Sequence, residues 1–244
     1  MPAKSPPPKG LIVLSSVDRL PNGRPAGFWL PEAAYPWRAL LAAGWDYEFV
    51  STRPGRPAAR GVDRSDPPQR MFLEDTAVRE KLDRTTTPDL RDPAEFGIVF
   101  IAGGHGSVLD LPADTRLSAM LGACGAARAV IAAIGHGVGA LLNVRRRGGG
   151  SLTAGRRVTA FTRHEESMAG LDRVMPYSLE DALRAQGARF ESGDPFQPYV
   201  VTDGHLVTGQ NPASCAELAA AGMALATGRT LPARWPRQPV PAHG

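Results

Sequence analysis

Short unbroken apolar runs recur along the chain: LIVLSS at 11–16, FGIVFIAGG at 96–104 and RAVIAAIG at 128–135. None is long enough for a helix and none alternates with polar positions, the pattern of strands buried on both faces of a sheet. YEFVST (47–52), RVTAFT (157–162) and RFESG (189–193) predict further strands, and YVVTDGHLVTG (199–209) predicts a hairpin around Asp203-Gly204. Helical periods lie between them. PEAAYPWRALLAAG (31–44) predicts a helix stopped by Gly44, and VIAAIGHGVGALLNV (130–144) a strand, a sharp turn and a helix. NPASCAELAAAGMALATG (211–228) predicts a last helix capped near Asn211 or Ser214.

Strands alternating with helices imply an α/β fold: a three-layer, flavodoxin-like sandwich whose mainly parallel sheet carries helices on both faces. The polar segment at about 53–95 breaks this rhythm. It holds one amphipathic piece, PQRMFLEDTAVREKLDR, in which Met71, Val78 and Leu82 recur near helical spacing, and it predicts a small cap insertion. Pro-rich ends at 1–9 and 229–244 lack an apolar period, which predicts a disordered arm and tail around a single domain at 10–228.

Composition narrows the functional classes. At 244 residues the chain suits one well-buried domain. A net charge of +4, with Arg145, Arg146 and Arg147 as the one basic run beside flexible glycines, predicts no nucleic-acid partner. No apolar stretch approaches a spanning helix and no leader pattern opens the chain, so the expectation is a cytoplasmic protein without membrane contact. Two cysteines, Cys124 and Cys215, make no disulfide framework, and no CxxC or HExxH spacing suggests a metal. The expected partner is a small-molecule substrate, with no cofactor.

In open parallel sheets, ligands bind beyond the carboxyl ends of the strands. Two glycine-rich turns fall there, AGGHGS (102–107) and IGHGVG (134–139), and glycine lets a backbone approach a ligand with its N–H groups outward. Tight turning alone would also explain them.

GFWLPEAAYPW, FIAGGHGSVLDLP, AAIGHGVGALLNV, VTAFTRHEES, EDALRAQGARFE and DGHLVTGQNPAS together, in this order, resemble the ThiJ/PfpI superfamily. That superfamily has a class I glutamine-amidotransferase-like fold, and the resemblance is to its glyoxalase III and heat-shock chaperone branch, over roughly 10–228. It implies that the turn after the strand at 130–134 is a nucleophile elbow, where the family carries Cys followed by His. This chain has Gly135 and His136 there. The resemblance further implies Glu32 as the acid beside the missing thiol and Glu166 as the partner of His136, with Glu165 the neighbouring alternative. It also implies a possible homodimer.

These residues give three readings. In the first, a cofactor-independent enzyme uses Glu32, His136 and Glu166 for general acid/base chemistry on a small carbonyl metabolite, as an isomerase, lyase, hydratase or hydrolase in bacterial specialised metabolism. The main-chain groups of Gly104 and Gly135, with His105, would bind a developing oxyanion. In the second, the protein is a non-catalytic, chaperone-like or ligand-sensing relative, for which an exposed Glu32 with an ordinary pKa is expected. In the third, glyoxalase or deglycase activity runs through another thiol. Cys215 is the candidate, since a helix N-terminus lowers a thiol pKa. The first reading expects no turnover of methylglyoxal. Phe28, Trp29, Tyr35 and Trp37 lie near Glu32, divided between core and pocket wall, with Trp29 the candidate wall residue.

Overall fold

A computed structural model gives the structure of residues 8–229. The expected arm and tail lie outside the described residues except for Pro8, Lys9 and Arg229. Lys9 corrects the arm's boundary, because it opens the first strand and its ammonium binds Glu48 at 3.2 Å and Glu95 at 2.9 Å.

The elements run β1 (Lys9–Leu14), β2 (Phe28–Trp29), α1 (Leu30–Ala42), β3 (Asp46–Ser51), β4 (Ala59–Arg60), α2 (Pro67–Glu74), α3 (Thr76–Asp83) and β5 (Phe96–Ile101). They continue with α4 (Ser107–Asp110), α5 (Thr115–Ala126), β6 (Val130–Ile134), β7 (Arg157–Val158), α6 (Arg163–Met168), α7 (Leu179–Ala185) and β8 (Arg189–Phe190). β9 (Val200–Asp203), β10 (Leu206–Gly209) and α8 (Cys215–Ala226) follow. Six strands form one sheet in the order β3-β1-β5-β6-β10-β9, parallel throughout except for the β9–β10 hairpin.

The unbroken apolar runs arise because every side chain of the inner strands faces a layer. Leu11 and Val13 of β1, Val99 and Ile101 of β5, and Ile131 and Ala133 of β6 pack against α5 and α7. The residues between them, Ile12, Leu14, Ile98, Phe100, Val130 and Ala132, pack against α1 and α8. Burying one such side chain is worth about 1.5–3 kcal/mol, so slipping a strand by one residue gains nothing and the register is fixed by pairing. No helix among the described residues is long and apolar enough to cross a membrane.

Several expected elements differ. RVTAFT and RFESG contribute only β7 and β8, which pair with each other outside the main sheet. Side chains take over the bonds a ladder would make: the Arg157 N–H donates to Asp203 Oδ2 and the Thr159 N–H to Thr208 Oγ1, both at 2.9 Å. The expected helix after β6 is a buried 3-10 stretch, Gly135–Leu141, whose glycines each cost an α-helix about 1 kcal/mol. Ser214 occupies the N-cap position of α8 as expected, but its side chain makes no capping bond to that helix. The Ser214 hydroxyl binds the Tyr199 backbone N–H and carbonyl, and the Asn211 amide donates to Glu165 and to the Gln197 carbonyl.

The amphipathic piece of the cap splits into α2 and α3 at Asp75, whose carboxylate accepts the Val78 N–H at 2.8 Å. Its anchor is Phe72 rather than Met71, which is 46% exposed. The Phe72 ring stands edge-on to Trp37 at 5.4 Å and to Phe49 at 5.9 Å, which fastens the cap to α1 and β3. The cap also pairs its β4 with β2, placing it beside the segment that enters α1.

Candidate active site

Glu32 sits in the first turn of α1, behind Pro31, which is preorganised for a helix start. Its side chain is 2% exposed, and Oε2 accepts the Gly103 N–H at 2.6 Å just beyond β5. Burial pushes its pKa from 4.5 up to about 8, against the opposing effect of the Gly103 hydrogen bond.

Gly135 follows β6 with φ +54°, a left-handed conformation that an ordinary residue adopts at a cost of about 1–2 kcal/mol. A Cβ at this position would lie 3.3 Å from Glu32 Oε1, its nearest neighbour, so the turn aims at the carboxyl. The two glycine turns also interlock. A Cβ on Gly103 would come within 2.7 Å of Glu32 Oε2, the Gly137 nitrogen and the Ile134 carbonyl, which only glycine avoids.

The His136 ring, 4% exposed, shares a hydrogen bond between Nε2 and Glu166 Oε2 at 2.8 Å. Phe161 lies against one side of it with centroids 4.6 Å apart, and His105 lies 4.8 Å away. Burial holds the His105 pKa down at about 3, with His136 and Arg24 acting in the same direction, so its imidazole is neutral. Two buried atoms of this group have no hydrogen-bond partner among the described residues: His105 Nε2 and Glu166 Oε1.

The choice between the adjacent acids is settled geometrically. Glu165 is fully buried and closes a capping box with Thr162, whose N–H and hydroxyl both reach Glu165 Oε2 while Thr162 Oγ1 accepts the Glu165 N–H. Its Oε1 accepts from the Phe196 N–H and from Asn211, both at 2.8 Å. Glu165 thus holds the fold together and Glu166 faces the histidine. The Thr-x-x-Glu spacing of TRHE carried this information in the sequence.

The remaining predicted residues divide. Gly104 packs against the Gly27 carbonyl and the Trp29 nitrogen, and its own carbonyl accepts the Ser107 N–H at 2.9 Å. Trp29 is tied to the site through its backbone, donating to the Gly103 carbonyl at 2.9 Å, while its indole lies over Gly61 of the cap. Phe28 and Trp37 are core, and Tyr35 bonds Asp66 at 3.1 Å. The expected activation of Cys215 is overturned: burial, followed by Glu32 and Asp66, holds its thiol well above 9.0. Desolvation outweighs the helix dipole here. Burial likewise pushes Cys124 up to about 11. Phe161 was not singled out from the sequence, since a lone aromatic in an irregular segment carries no signal for which ring it will meet.

The carboxyl, the glycine elbow and the histidine meet where βα turns converge at the carboxyl ends of β5 and β6. A cavity of about 790 Å³ lies apart, between Phe28, Phe72 and the arginines Arg53, Arg56 and Arg79 of the cap. Fold and site together define an α/β protein with a left-handed glycine turn after a central strand, directed at a buried acid. The chain belongs to the DJ-1/PfpI family, which it matches over residues 26–225. Within that family, several of its relatives carry the name of glutathione-independent glyoxalases. It is 27% identical over 225 residues to glutathione-independent glyoxalase HSP31 of Saccharomyces cerevisiae, covering 85% of this chain and 93% of that protein. The crystal structure of the Francisella tularensis Rapid Encystment Protein 24 kDa superposes with a TM-score of 0.86 at 31% identity, over 90% of this chain and 99% of that one. Glyoxalase III of Candida albicans shares the fold, with a TM-score of 0.82 at 23% identity over 89% and 97% of the two chains.

Proposed function

We propose that this protein is a glyoxalase-type enzyme that converts a small 2-oxoaldehyde into the corresponding 2-hydroxy acid by proton transfer, without a covalent thiol adduct. The glyoxalase part draws support from relatives such as HSP31 and glutathione-independent glyoxalase hsp3101 of Schizosaccharomyces pombe, 28% identical over 239 residues. They favour the third reading of the sequence over the first, and count against its expectation of no methylglyoxal turnover.

The observation that carries the non-covalent route is Glu32, buried, shifted to about 8 and facing a residue without a side chain. The hydrate of a 2-oxoaldehyde, R–CO–CH(OH)2, has the same atoms as R–CHOH–COOH. Moving the C1 proton to C2 through the enetriol R–C(OH)=C(OH)2 therefore needs no oxidant, since C1 is oxidised as C2 is reduced. A carboxylate with a pKa near neutrality is suited to take that proton and return it. In this reading the amides at the start of the Gly135 turn, which have no acceptor within it, face the enolate oxygen on C2. His136, held by Glu166, exchanges protons with the hydroxyl oxygens. The closeness of Glu32 to position 135 suits a substrate of a few heavy atoms.

The non-catalytic alternative expected an exposed, unshifted Glu32, and the observed burial speaks against it. Incubation with methylglyoxal and measurement of lactate tests the proposal. Wild type forms lactate, Glu32→Gln loses at least about 100-fold in kcat/KM, and Cys215→Ser retains activity. No lactate above the buffer blank defeats the glyoxalase reading. Activity that survives in Glu32→Gln and disappears in Cys215→Ser transfers the chemistry to a thiol.

A further inference from the structure

The cluster beside the elbow has a property that proton transfer does not use. We propose that His105, His136 and Glu166 form a three-ligand site for a divalent transition-metal ion of the zinc class. It shares His136 and Glu166 with the glyoxalase reading, but its test reads metal binding and not turnover, so the failure of one is distinguishable from the failure of the other.

The donor set comes first. Two imidazoles and one carboxylate suit Zn²⁺ and its neighbours, whereas Mg²⁺ and Ca²⁺ seek oxygen alone. One ligand atom from each residue lies within 4.8 Å of the other two. Bonds of about 2.0–2.2 Å in a tetrahedral arrangement place donors roughly 3.3–3.5 Å apart, so side-chain rotation of about an ångström closes the site.

The second observation is independent of this spacing. His105 Nε2 and Glu166 Oε1 are both buried without a hydrogen-bond partner among the described residues. Leaving a buried polar atom unmatched costs about 1–3 kcal/mol, and both atoms belong to the same three-residue cluster. A cation between them accepts both lone pairs. Elsewhere the scaffold is already held: the Thr162–Glu165 capping box fixes the start of α6, and Phe161 packs on the His136 ring. The charged residue felt by His105 is Arg24, which is exposed and so screened by solvent. Three protein ligands leave at least one coordination position for water or a substrate oxygen.

Titration of the metal-free, full-length protein with Co²⁺ tests the site. The expected result is one equivalent bound, with visible absorption bands of a four- or five-coordinate ion that Zn²⁺ displaces and Mg²⁺ does not. His105→Ala and Glu166→Gln, each checked for folding by circular dichroism, weaken binding at least about 100-fold. Glu32→Gln binds the ion as wild type does, whatever its effect on turnover. Absence of the one-equivalent spectrum in wild type overturns the proposal, and so does binding that stays within threefold in both ligand variants.

Discussion

At the residue scale, the buried carboxyl of Glu32 is held protonated well above its ordinary range, and its protonation has a thermodynamic signature. In the unfolded chain it ionises near 4.5, while the folded protein keeps its proton to about 8. Between these values the folded state binds the extra proton, so stability falls as pH rises, by up to about 1.4 kcal/mol per pH unit. Below the lower value the penalty vanishes, and above the upper one it is constant. Glu32→Gln lacks the titration, so its melting temperature gains on wild type from pH 5 to pH 8. Thermal melts across that range check this, and two parallel profiles would show that Glu32 is not held neutral. Gly135 belongs to the same balance, since its positive φ is strained for any other residue.

Two adjacent acids on α6 have opposite duties at the element scale. Glu165 satisfies the start of its own helix and reaches across to Phe196 and Asn211, tying α6 to the segments before β9 and α8. Glu165→Ala strands several buried donors and costs more than about 2 kcal/mol of stability. Glu166→Gln, which keeps a hydrogen-bonding group beside His136, costs less than about 1 kcal/mol. Urea unfolding of both variants measures the two values. A reversed ranking of stabilities would mean that the capping box does not hold the helix.

The cap belongs to the main fold at the scale of the whole molecule. Phe72 closes a continuous cluster with Trp37 and Phe49, and Ser51 and Thr85 join their hydroxyls where the cap returns to the sheet edge. Phe72→Ala therefore costs about 3–5 kcal/mol and leaves a single unfolding transition, whereas the exposed Met71→Ala stays within about 0.5 kcal/mol. Denaturation followed by fluorescence and by circular dichroism distinguishes this from a cap that melts alone, which would give two transitions.

Strands buried on both faces were legible because each inner position of β1, β5 and β6 must be apolar whatever its neighbours are, and the stop at Gly44 was legible because helix ends are written locally. The pairing of β7 with β8 was not, since side-chain donors such as Thr208 replace a ladder in a way no period records. The site divides similarly. Glu32, Gly135 and His136 stood out through ordered motifs, and TRHE held a local signal for Glu165. The thiol of Cys215 and the meeting of His105 with His136 and Glu166 depend on burial and on contacts between three separate turns. The sequence alone thus determined the layered α/β architecture, because it follows from local periodicity, while the acid and the glycine elbow were read from motifs shared with a family and not from spacing. Only the tertiary structure decided which groups lose water and which come face to face, because desolvation and long-range proximity are properties of the packed chain.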